Sequence, residues 1–180
     1  ADFDARSGRA AALLADSGID YGDRVAILCR NRVEFFEILF ACARLGAILV
    51  PLNWRMPAAE LAPLIADCAA KLVLFGAEDA AVARDAAKES GATLLGLDED
   101  YSARRDACGR HPGRPQWPAD ETWYLIYTSG TTGRPKGVIQ TYGMAHVNYI
   151  NIAQATGLRG TDATLNFLPL FHTAGINLHT

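Results

Sequence analysis

The sequence is poor in the features that mark several common protein classes. Its 17 basic side chains are outnumbered by 20 acidic ones, and the net charge of −3 excludes the basic surface expected of a nucleic-acid-binding protein. No apolar run is long enough to cross a bilayer, and the N-terminus lacks the charged-then-apolar pattern of a secretory signal. We therefore expect a cytoplasmic protein without a transmembrane segment and without a nucleic-acid partner.

Cysteine is also scarce, and its spacing excludes two further classes. The four cysteines form no C-x-x-C pair and have no histidine at a metal-ligand spacing. They predict neither a disulfide framework nor a metal site, and we interpret them as structural thiols in a reducing compartment. These cysteines are Cys29, Cys42, Cys68 and Cys108.

What is present is a composition that can form a folded core. Half of the 180 residues are hydrophobic and 21% are charged, which suits one domain or a large piece of a bigger one. The chain begins at Ala1 rather than at a methionine, and it stops at Thr180 inside the apolar stretch LNFLPLFHTAGINLHT. We interpret it as a fragment of a longer protein, because such a stretch needs more chain to cover it.

Short apolar segments alternate with helical patterns along most of the chain. This alternation predicts an α/β fold, with a mostly parallel sheet flanked by helices on both faces. The predicted strands are 25–29, 47–51, 71–75, 93–97, 122–129 and 137–142. The predicted helices are 33–45, capped by Asn31, then 57–68, kinked at Pro63, and finally 78–89 and 143–155.

Residues 98–120 break this rhythm with a composition rich in Asp, Arg, Gly and Pro, which predicts an exposed connection. We expect its arginines to lie in a solvated loop with neighbouring acids, the alternative being a binding patch. They are Arg104, Arg105, Arg110 and Arg114. We divide the chain into an α/β subdomain at 1–160, which carries the loop at 127–138, and the start of a second subdomain at 161–180.

The most informative segment is YTSGTTGRPKGV, residues 127–138. Its glycines let the backbone turn tightly and approach a ligand, and successive free amides in such a loop bind anions. Its hydroxyl groups add donors, and Lys136 adds a mobile cation in a chain whose other lysines are Lys71 and Lys88. The segment predicts a polyphosphate site formed by Thr128, Ser129, Gly130, Thr131, Thr132, Gly133, Lys136 and Gly137.

The two commonest nucleotide-binding patterns do not fit this segment. Counting from Gly130, the Walker pattern needs a glycine where Pro135 stands, and the Rossmann pattern needs a glycine two positions after Gly130. Pro135 and the β-rich GVIQTY also disfavour a helix directly after the loop. We therefore expect a strand–loop–strand element in which hydroxyl groups and Lys136 replace a helix dipole.

YTSGTTGRPKGV closely resembles the signature of the adenylate-forming enzymes. These include acyl-CoA synthetases, aryl-CoA ligases, firefly-type luciferases and peptide-synthetase adenylation domains. Segments 22–28, 43–55 and 165–177 also resemble the family, in the family's order, so that the resemblance covers nearly the whole chain apart from 98–120. It implies that the chain is part of the large N-terminal domain of an adenylate-forming enzyme.

The resemblance implies an acid–thiol ligase of the acyl-CoA synthetase type, working in two half-reactions. A carboxylate attacks the α-phosphorus of MgATP to give an acyl-adenylate and pyrophosphate, and the thiol of coenzyme A then displaces AMP. The loop hydroxyls and Lys136 would contact the phosphates, where charge grows on the leaving pyrophosphate. The implied partners are ATP with Mg²⁺, a carboxylic acid and coenzyme A, with no metal ligand assigned to these residues.

The segment around His172 narrows the acid. Peptide-synthetase domains typically carry an aspartate just after a phenylalanine here, whereas this chain reads Phe171-His172-Thr173 with no acid nearby. The ammonium of an amino acid would lack its partner, so the resemblance favours a fatty or similarly apolar acid. The alternatives are an aryl-acid or luciferase-like ligase and a non-catalytic nucleotide-binding module.

The resemblance places His172 beside the acyl and adenylate pocket, as a catalytic candidate that gates between the half-reactions. The alternative is a histidine that is merely satisfied in a packed loop. The family's acidic residue for magnesium, its aspartate for the ribose, its hinge and its C-terminal lysine do not occur in these residues. We therefore expect the chain to hold the phosphate loop but to complete neither half-reaction alone.

Overall fold

The computed structural model describes residues 2–128 and 135–177, and in these ranges the strands form one six-stranded sheet. The order across the sheet is β4-β3-β1-β2-β5-β6, and every neighbouring pair is parallel except β5 and β6. The strands are β1 (Arg24–Leu28), β2 (Ile48–Pro51), β3 (Leu72–Phe75), β4 (Thr93–Gly96), β5 (Thr122–Thr128) and β6 (Lys136–Thr141). The predicted α/β class with a mostly parallel sheet is confirmed.

Helices connect most of these strands. They are α1 (Asp2–Asp16), α2 (Val33–Leu45), α3 (Ala58–Asp67), α4 (Ala80–Ala87), α5 (Ser102–Ala107), α6 (Tyr142–Thr156) and α7 (Thr173–Asn177). A 3₁₀ turn (Ala77–Asp79) precedes α4, and a π turn (Leu97–Tyr101) precedes α5. The sequence analysis did not predict α1, α5 or α7. No helix in the described ranges is both long and apolar enough to cross a membrane.

Strand β1 shows how the sheet buries both of its faces. Val25 and Ile27 belong to one apolar cluster, with residues of α1 and α2, whereas Ala26 and Leu28 belong to a second cluster, with residues of α3 and α4. All four side chains are buried. Successive side chains of a strand point to opposite faces, so a fully apolar strand must be covered on both. The prediction of helices on both faces is confirmed.

Helix α2 has its predicted bounds, but its predicted cap was wrong. The N-cap position is Arg32, which makes no side-chain capping bond, and Asn31 instead hydrogen-bonds the backbone near Leu168. The helix ends at Gly46, whose φ of 75° lies in the left-handed region. A Cβ at Gly46 would also lie 2.6 Å from the Tyr21 ring, so this position needs glycine.

The prediction of an exposed connection at 98–120 was wrong for its first part. Tyr101 and Arg105 are buried there against Glu37, a fully buried carboxylate on α2. The Tyr101 hydroxyl and Arg105 Nη1 donate to Glu37 Oε2 over 2.9 and 2.8 Å. Arg6 Nη2 lies 2.5 Å from the other oxygen, in an ion pair without hydrogen-bond geometry. A buried carboxylate needs such partners, which is why this segment folds onto the helix.

The remaining arginines of the connection are exposed or paired. Arg104 and Arg110 are exposed, and Arg110 forms an ion pair with Asp4. Arg114 donates through both Nη atoms to Glu121, over 2.6 and 2.9 Å. These ion pairs agree with the expected neighbouring acids. Helix α3 continues through Pro63, after Pro57 at its N-cap position.

The cysteines are unpaired thiols. Cys29, Cys42 and Cys68 are buried, and Cys108 is half-buried. Burial raises the pKa of the Cys29 thiol to about 12, and it raises the pKa of Cys42 and Cys68 as well. These thiols therefore stay protonated at neutral pH and act as small apolar side chains, as the prediction of structural thiols requires.

Candidate functional site

The glycine-rich segment is flanked by the only antiparallel pair of strands in the described sheet, β5 and β6. Their ladder runs from Thr122 paired with Thr141 to Thr128 paired with Lys136. The loop between them contains Ser129, Gly130, Thr131, Thr132 and Gly133, all of which lie outside the described residues, so their assigned contacts stay predictions. The two strands of the expected strand–loop–strand element are present, with Thr128 and Lys136 opposite each other in the last pair of their ladder.

A cavity of about 270 Å³ lies against this hairpin. It borders the carboxyl ends of the parallel strands β2 and β5, the edge of an open α/β sheet where ligands bind. Its wall combines apolar side chains with a few polar ones. The lining residues are Pro51, Asn53, Met56, Glu60, Leu64, Tyr127, Thr128, Pro135 and Phe171. The structure thus brings Thr128, from the predicted phosphate segment, and Phe171, from the predicted acyl segment, into one cavity.

Tyr127 fixes the end of β5 to the end of α3. Its hydroxyl donates to Asp67 Oδ2 over 2.5 Å, and burial together with this acceptor raises the pKa of the phenol. A Cβ added at Gly137 would lie 3.5 Å from the Tyr127 ring, which is an ordinary contact. The described neighbours therefore do not require glycine at 137, and its predicted role in ligand approach stays a prediction.

Lys136 is exposed at the first position of β6. Among the described residues no carboxylate forms an ion pair with its ammonium, whereas Lys71 is paired with Asp23 at 2.7 Å. A lysine without an acidic partner has its three donors available to an anion that enters the cavity mouth.

His172 stands at the edge of the cavity rather than in its lining. The neighbouring Phe171 is buried, its ring 6.2 Å from the ring of Trp54 in an edge-to-face contact. The His172 imidazole lies 4.4 Å from the Phe171 ring centroid and is exposed. The backbone N–H of His172 donates to the Pro169 carbonyl over 3.1 Å. An exposed imidazole beside a cavity wall can move relative to a ligand, but the structure shows no contact between it and Lys136.

The sequence analysis missed two arginines that contact Trp54, whose ring packs against Phe171 of the cavity wall. The Arg30 and Arg55 guanidinium groups lie 4.4 and 4.8 Å from the centroid of the Trp54 ring, and Arg55 also lies 5.7 Å from the centroid of Phe171. Such contacts hold cations against aromatic faces and keep positive charge beside Trp54. The pattern NWR, residues 53–55, was a signal for one of them, since it places an arginine directly after a tryptophan.

The cavity also contains one carboxylate that the sequence analysis missed. Glu60 lies in the first turn of α3, a position that favours an acidic side chain because of the helix dipole. Glu60 lies in a different part of the chain from the segment around His172, which the sequence analysis examined for an aspartate. The absence of an acid near Phe171 in the sequence therefore did not make the cavity free of carboxylates.

Comparison with known proteins decides the family. The model of the AMP-binding enzyme family, described as "AMP-binding enzyme", matches residues 1–180. The chain belongs to the AMP-binding enzyme family. Its mostly parallel sheet with flanking helices is the fold of the N-terminal domains of adenylate-forming enzymes. The family recognised from residues 127–138 is thereby confirmed.

Two curated relatives of this AMP-binding chain are CoA ligases. The chain is 36% identical over 181 residues to a long-chain-fatty-acid–CoA ligase, FadD13, of Mycobacterium tuberculosis, covering 98% of this chain and 36% of that protein. It is 38% identical over 181 residues to an indoleacetate–CoA ligase of Aromatoleum aromaticum, covering 96% of this chain and 35% of that protein. The chain thus spans about a third of the length of these relatives.

A solved structure supports the same assignment. The N-terminal domain of FACL13 from Mycobacterium tuberculosis superposes on this AMP-binding chain with a TM-score of 0.89 and 32% sequence identity. The superposition covers 98% of this chain and 45% of that one. The order of strands and helices described above therefore matches slightly less than half of that N-terminal domain.

Proposed function

We propose that this chain forms the phosphate-binding part of an AMP-forming acid–CoA ligase. In the first half-reaction a carboxylate oxygen bonds to the α-phosphorus of ATP while the bond from that phosphorus to the bridging oxygen breaks, and pyrophosphate leaves. In the second, the sulfur of coenzyme A bonds to the acyl carbon, AMP leaves, and the thiol proton passes to solvent. The role of this chain is to hold the leaving pyrophosphate.

The observation that carries this proposal is the pairing of Thr128 with Lys136 at the mouth of the β5–β6 hairpin. Both residues face the loop in which the predicted hydroxyl and amide donors lie, and Thr128 also lines the cavity. Donors held in place by a strand pair cost little reorganisation when charge develops on the leaving phosphates. The contacts of Ser129, Gly130, Thr131, Thr132, Gly133 and Gly137 with the phosphates belong to the same proposal.

The acid is proposed to be a fatty or similarly apolar carboxylic acid. Support comes from the relative that is a long-chain-fatty-acid–CoA ligase and from Met56, Leu64 and Phe171 in the cavity wall. An aryl acid is the second candidate, favoured by the edge-to-face contact of Trp54 with Phe171 and by relatives that are indoleacetate and feruloyl-CoA ligases. His172, at the edge of this wall, is proposed to gate between adenylation and thioester formation.

Mg²⁺ would enter this site with ATP rather than as a resident ion. In residues 2–128 and 135–177 no group of three or more His, Cys, Asp or Glu side chains is placed to hold a metal. No residue of this chain is assigned as a ligand of the ion. Coenzyme A is proposed as the second substrate. The proposal also keeps the division of the chain at 160/161, with 161–180 beginning a second subdomain.

The test of the proposed function is pyrophosphate release by the longer enzyme with a panel of fatty and aryl acids. Lys136→Ala should slow adenylation by roughly 10- to 100-fold, the loss expected for a hydrogen bond to a charged group. The exposed Lys88, at the end of α4, provides the control as Lys88→Ala. An unchanged adenylation rate in Lys136→Ala would contradict the assigned role, and exchange of pyrophosphate into ATP by the 180-residue chain alone would contradict its dependence on other segments.

A further inference from the structure

Asn31 joins two segments that lie far apart in the sequence. It follows β1 in the loop before α2, and its side chain reaches the backbone that leads to Phe171. Asn31 Nδ2 donates to the Leu168 carbonyl over 2.8 Å, and Asn31 Oδ1 accepts from the backbone N–H of Leu170 over 3.1 Å. The Asn31 amide thus pairs with a backbone carbonyl and a backbone N–H that lie two residues apart.

The backbone held by Asn31 belongs to a tightly folded segment. At Gly175 an added Cβ would lie 2.2 Å from the Pro169 carbonyl oxygen, so the backbone of α7 and the backbone at Pro169 are in close contact. Asn166 Nδ2 donates to the Gly175 carbonyl over 2.8 Å and closes the same turn. Because these contacts close the turn around Pro169, a bond at Leu170 also restrains the backbone next to it.

The C-terminal end of the segment, at Asn177, is held by other hydrogen bonds. The Tyr124 hydroxyl on β5 hydrogen-bonds Asn177 Oδ1, and Asn148 on α6 donates from Nδ2 to the Asn177 carbonyl over 2.7 Å. At the other end of the segment, next to Phe171 and His172, Asn31 connects the backbone to the β1–α2 loop. The other contacts at this end are hydrogen bonds within the segment, the Arg55 contact with the Phe171 ring and apolar packing, which is less directional than a hydrogen bond.

Asparagine suits this bridging position because its side-chain amide can both donate and accept a hydrogen bond. An aspartate could accept from Leu170 but could not donate to Leu168, and an alanine could do neither. Asn31 is exposed, so burial does not oblige its amide to find partners. Its two hydrogen bonds reach over a sequence separation of 137 and 139 residues and make no contribution to the start of α2.

We propose that Asn31 is a positioning residue, whose side-chain amide holds the 168–170 backbone so that Phe171 stays in the cavity wall and His172 at its edge. This inference rests on the proposed function in one respect, that His172 acts next to a bound nucleotide. The hydrogen bonds themselves do not depend on it. The two can therefore be tested separately in the same samples.

The experiment uses the 180-residue chain with ¹⁵N and ¹³C labels and follows the Leu170 amide and the His172 imidazole by NMR. In Asn31→Ala the Leu170 amide should exchange with solvent roughly five- to tenfold faster, as expected for the loss of one hydrogen bond. The His172 imidazole and Phe171 ring signals should move as well. Exchange in β1 and β3 should stay as in the unsubstituted chain, which shows that the fold is intact.

Two further variants keep this test decisive. Asn31→Asp retains the acceptor for Leu170 and loses the donor to Leu168, so Leu170 should exchange more slowly in it than in Asn31→Ala. If Asn31→Ala does not fold, the test is the shift of the Phe171 and His172 signals in Asn31→Asp, and unchanged signals there would overturn the proposal. Asn151→Ala removes an exposed asparagine on α6 and should leave Leu170 and His172 unchanged. Wild-type exchange at Leu170 in both Asn31 variants would overturn the proposal.

Addition of MgATP separates this inference from the proposed function. We expect the signals of Thr128, Lys136 and His172 to shift in the unsubstituted chain, and the His172 shift to be lost in Asn31→Ala while the Lys136 shift remains. A His172 shift that is the same in both proteins would overturn the positioning role. If MgATP shifts none of these signals in the unsubstituted chain, the proposed function is contradicted, while Leu170 exchange still decides whether Asn31 holds the segment.

Discussion

Thr128 and Lys136 face each other in the last pair of the β5–β6 ladder, and the glycine-rich loop lies between them. The strand pair fixes the separation of the two ends of the loop before any ligand arrives. Fixing two of the predicted phosphate contacts, Thr128 and Lys136, in a paired ladder reduces the entropy that is lost when they bind phosphates.

The link from β5 to α3 through Tyr127 gives a first prediction. Tyr127→Phe removes the hydroxyl that donates to Asp67 Oδ2 and leaves the ring in place. We expect a loss of about 1 kcal/mol in the free energy of unfolding, measured in urea, as is typical for one hydrogen bond. Tyr149→Phe, on the exposed part of α6, is the matched control and should change stability by less. Equal effects of the two substitutions would show that the bond to Asp67 contributes nothing specific.

A second prediction concerns the buried carboxylate of Glu37. Glu37→Leu removes the acceptor of Tyr101 and Arg105 and leaves a buried guanidinium with only its bond to Asp106. Breaking one side of a buried ion pair costs about 3 kcal/mol or more. Urea unfolding should show this loss, whereas Glu89→Leu at an exposed position should have little effect. A Glu37→Leu protein of unchanged stability would contradict the role given to this network.

The Arg32–Asp98 pair gives a prediction about pH. Hydrogen bonding from Arg32 and from the Ala77 backbone N–H lowers the pKa of Asp98 below its ordinary value of 3.8. A lowered folded-state pKa gives a stabilisation that is present above 3.8 and is lost as the pH falls through the folded-state value. Both side chains are partly exposed, so the effect should stay below about 1 kcal/mol.

The measurement for this pair compares the unsubstituted chain with Asp98→Asn in urea at several pH values. The variant should be less stable at pH 7 and at pH 5, and the difference should shrink as the pH falls below about 4. A difference that is constant from pH 7 to pH 3 would mean that the charge of Asp98 does not stabilise the fold.

Gly175 gives a prediction about the segment that carries His172. A Cβ there would lie 2.2 Å from the Pro169 oxygen and 2.6 Å from its carbonyl carbon, both of them backbone atoms. Gly175→Ala should destabilise the protein by about 1–3 kcal/mol and shift the Phe171 and His172 signals. Gly160→Ala is the control, because no atom lies within 4 Å of a Cβ added there. Identical spectra for Gly175→Ala and the unsubstituted chain would contradict the close backbone contact.

The sequence predicted the sheet well because its strands are short apolar runs. Alternate side chains of such a strand point to opposite faces of the sheet, and both faces are buried. Val25–Leu28 is an example, since both of its faces are covered by helices. The resemblance of residues 127–138 to the family identified the hairpin and its loop. Neither the prediction of the strands nor that of the hairpin depended on contacts between distant residues.

Long-range contacts explain the failures. The burial of Tyr101 and Arg105 depends on Glu37, whose position under the π turn no local pattern reveals. Asn31 has the residue type of a helix cap, but its partners lie at 168 and 170. In the candidate site, Thr128 and Lys136 were predicted from the motif, whereas the position of Glu60 in the cavity becomes visible only in the folded chain.

The most direct test of the central claim, that this chain grips the phosphates of ATP, is an NMR titration of the 180-residue chain with MgATP, tripolyphosphate and adenosine. We predict that MgATP and tripolyphosphate shift the same signals, including Thr128 and Lys136, that adenosine shifts none of them, and that Lys136→Ala weakens both bound ligands roughly tenfold or more. Binding of adenosine at these residues, or MgATP affinity unchanged in Lys136→Ala, would contradict the account.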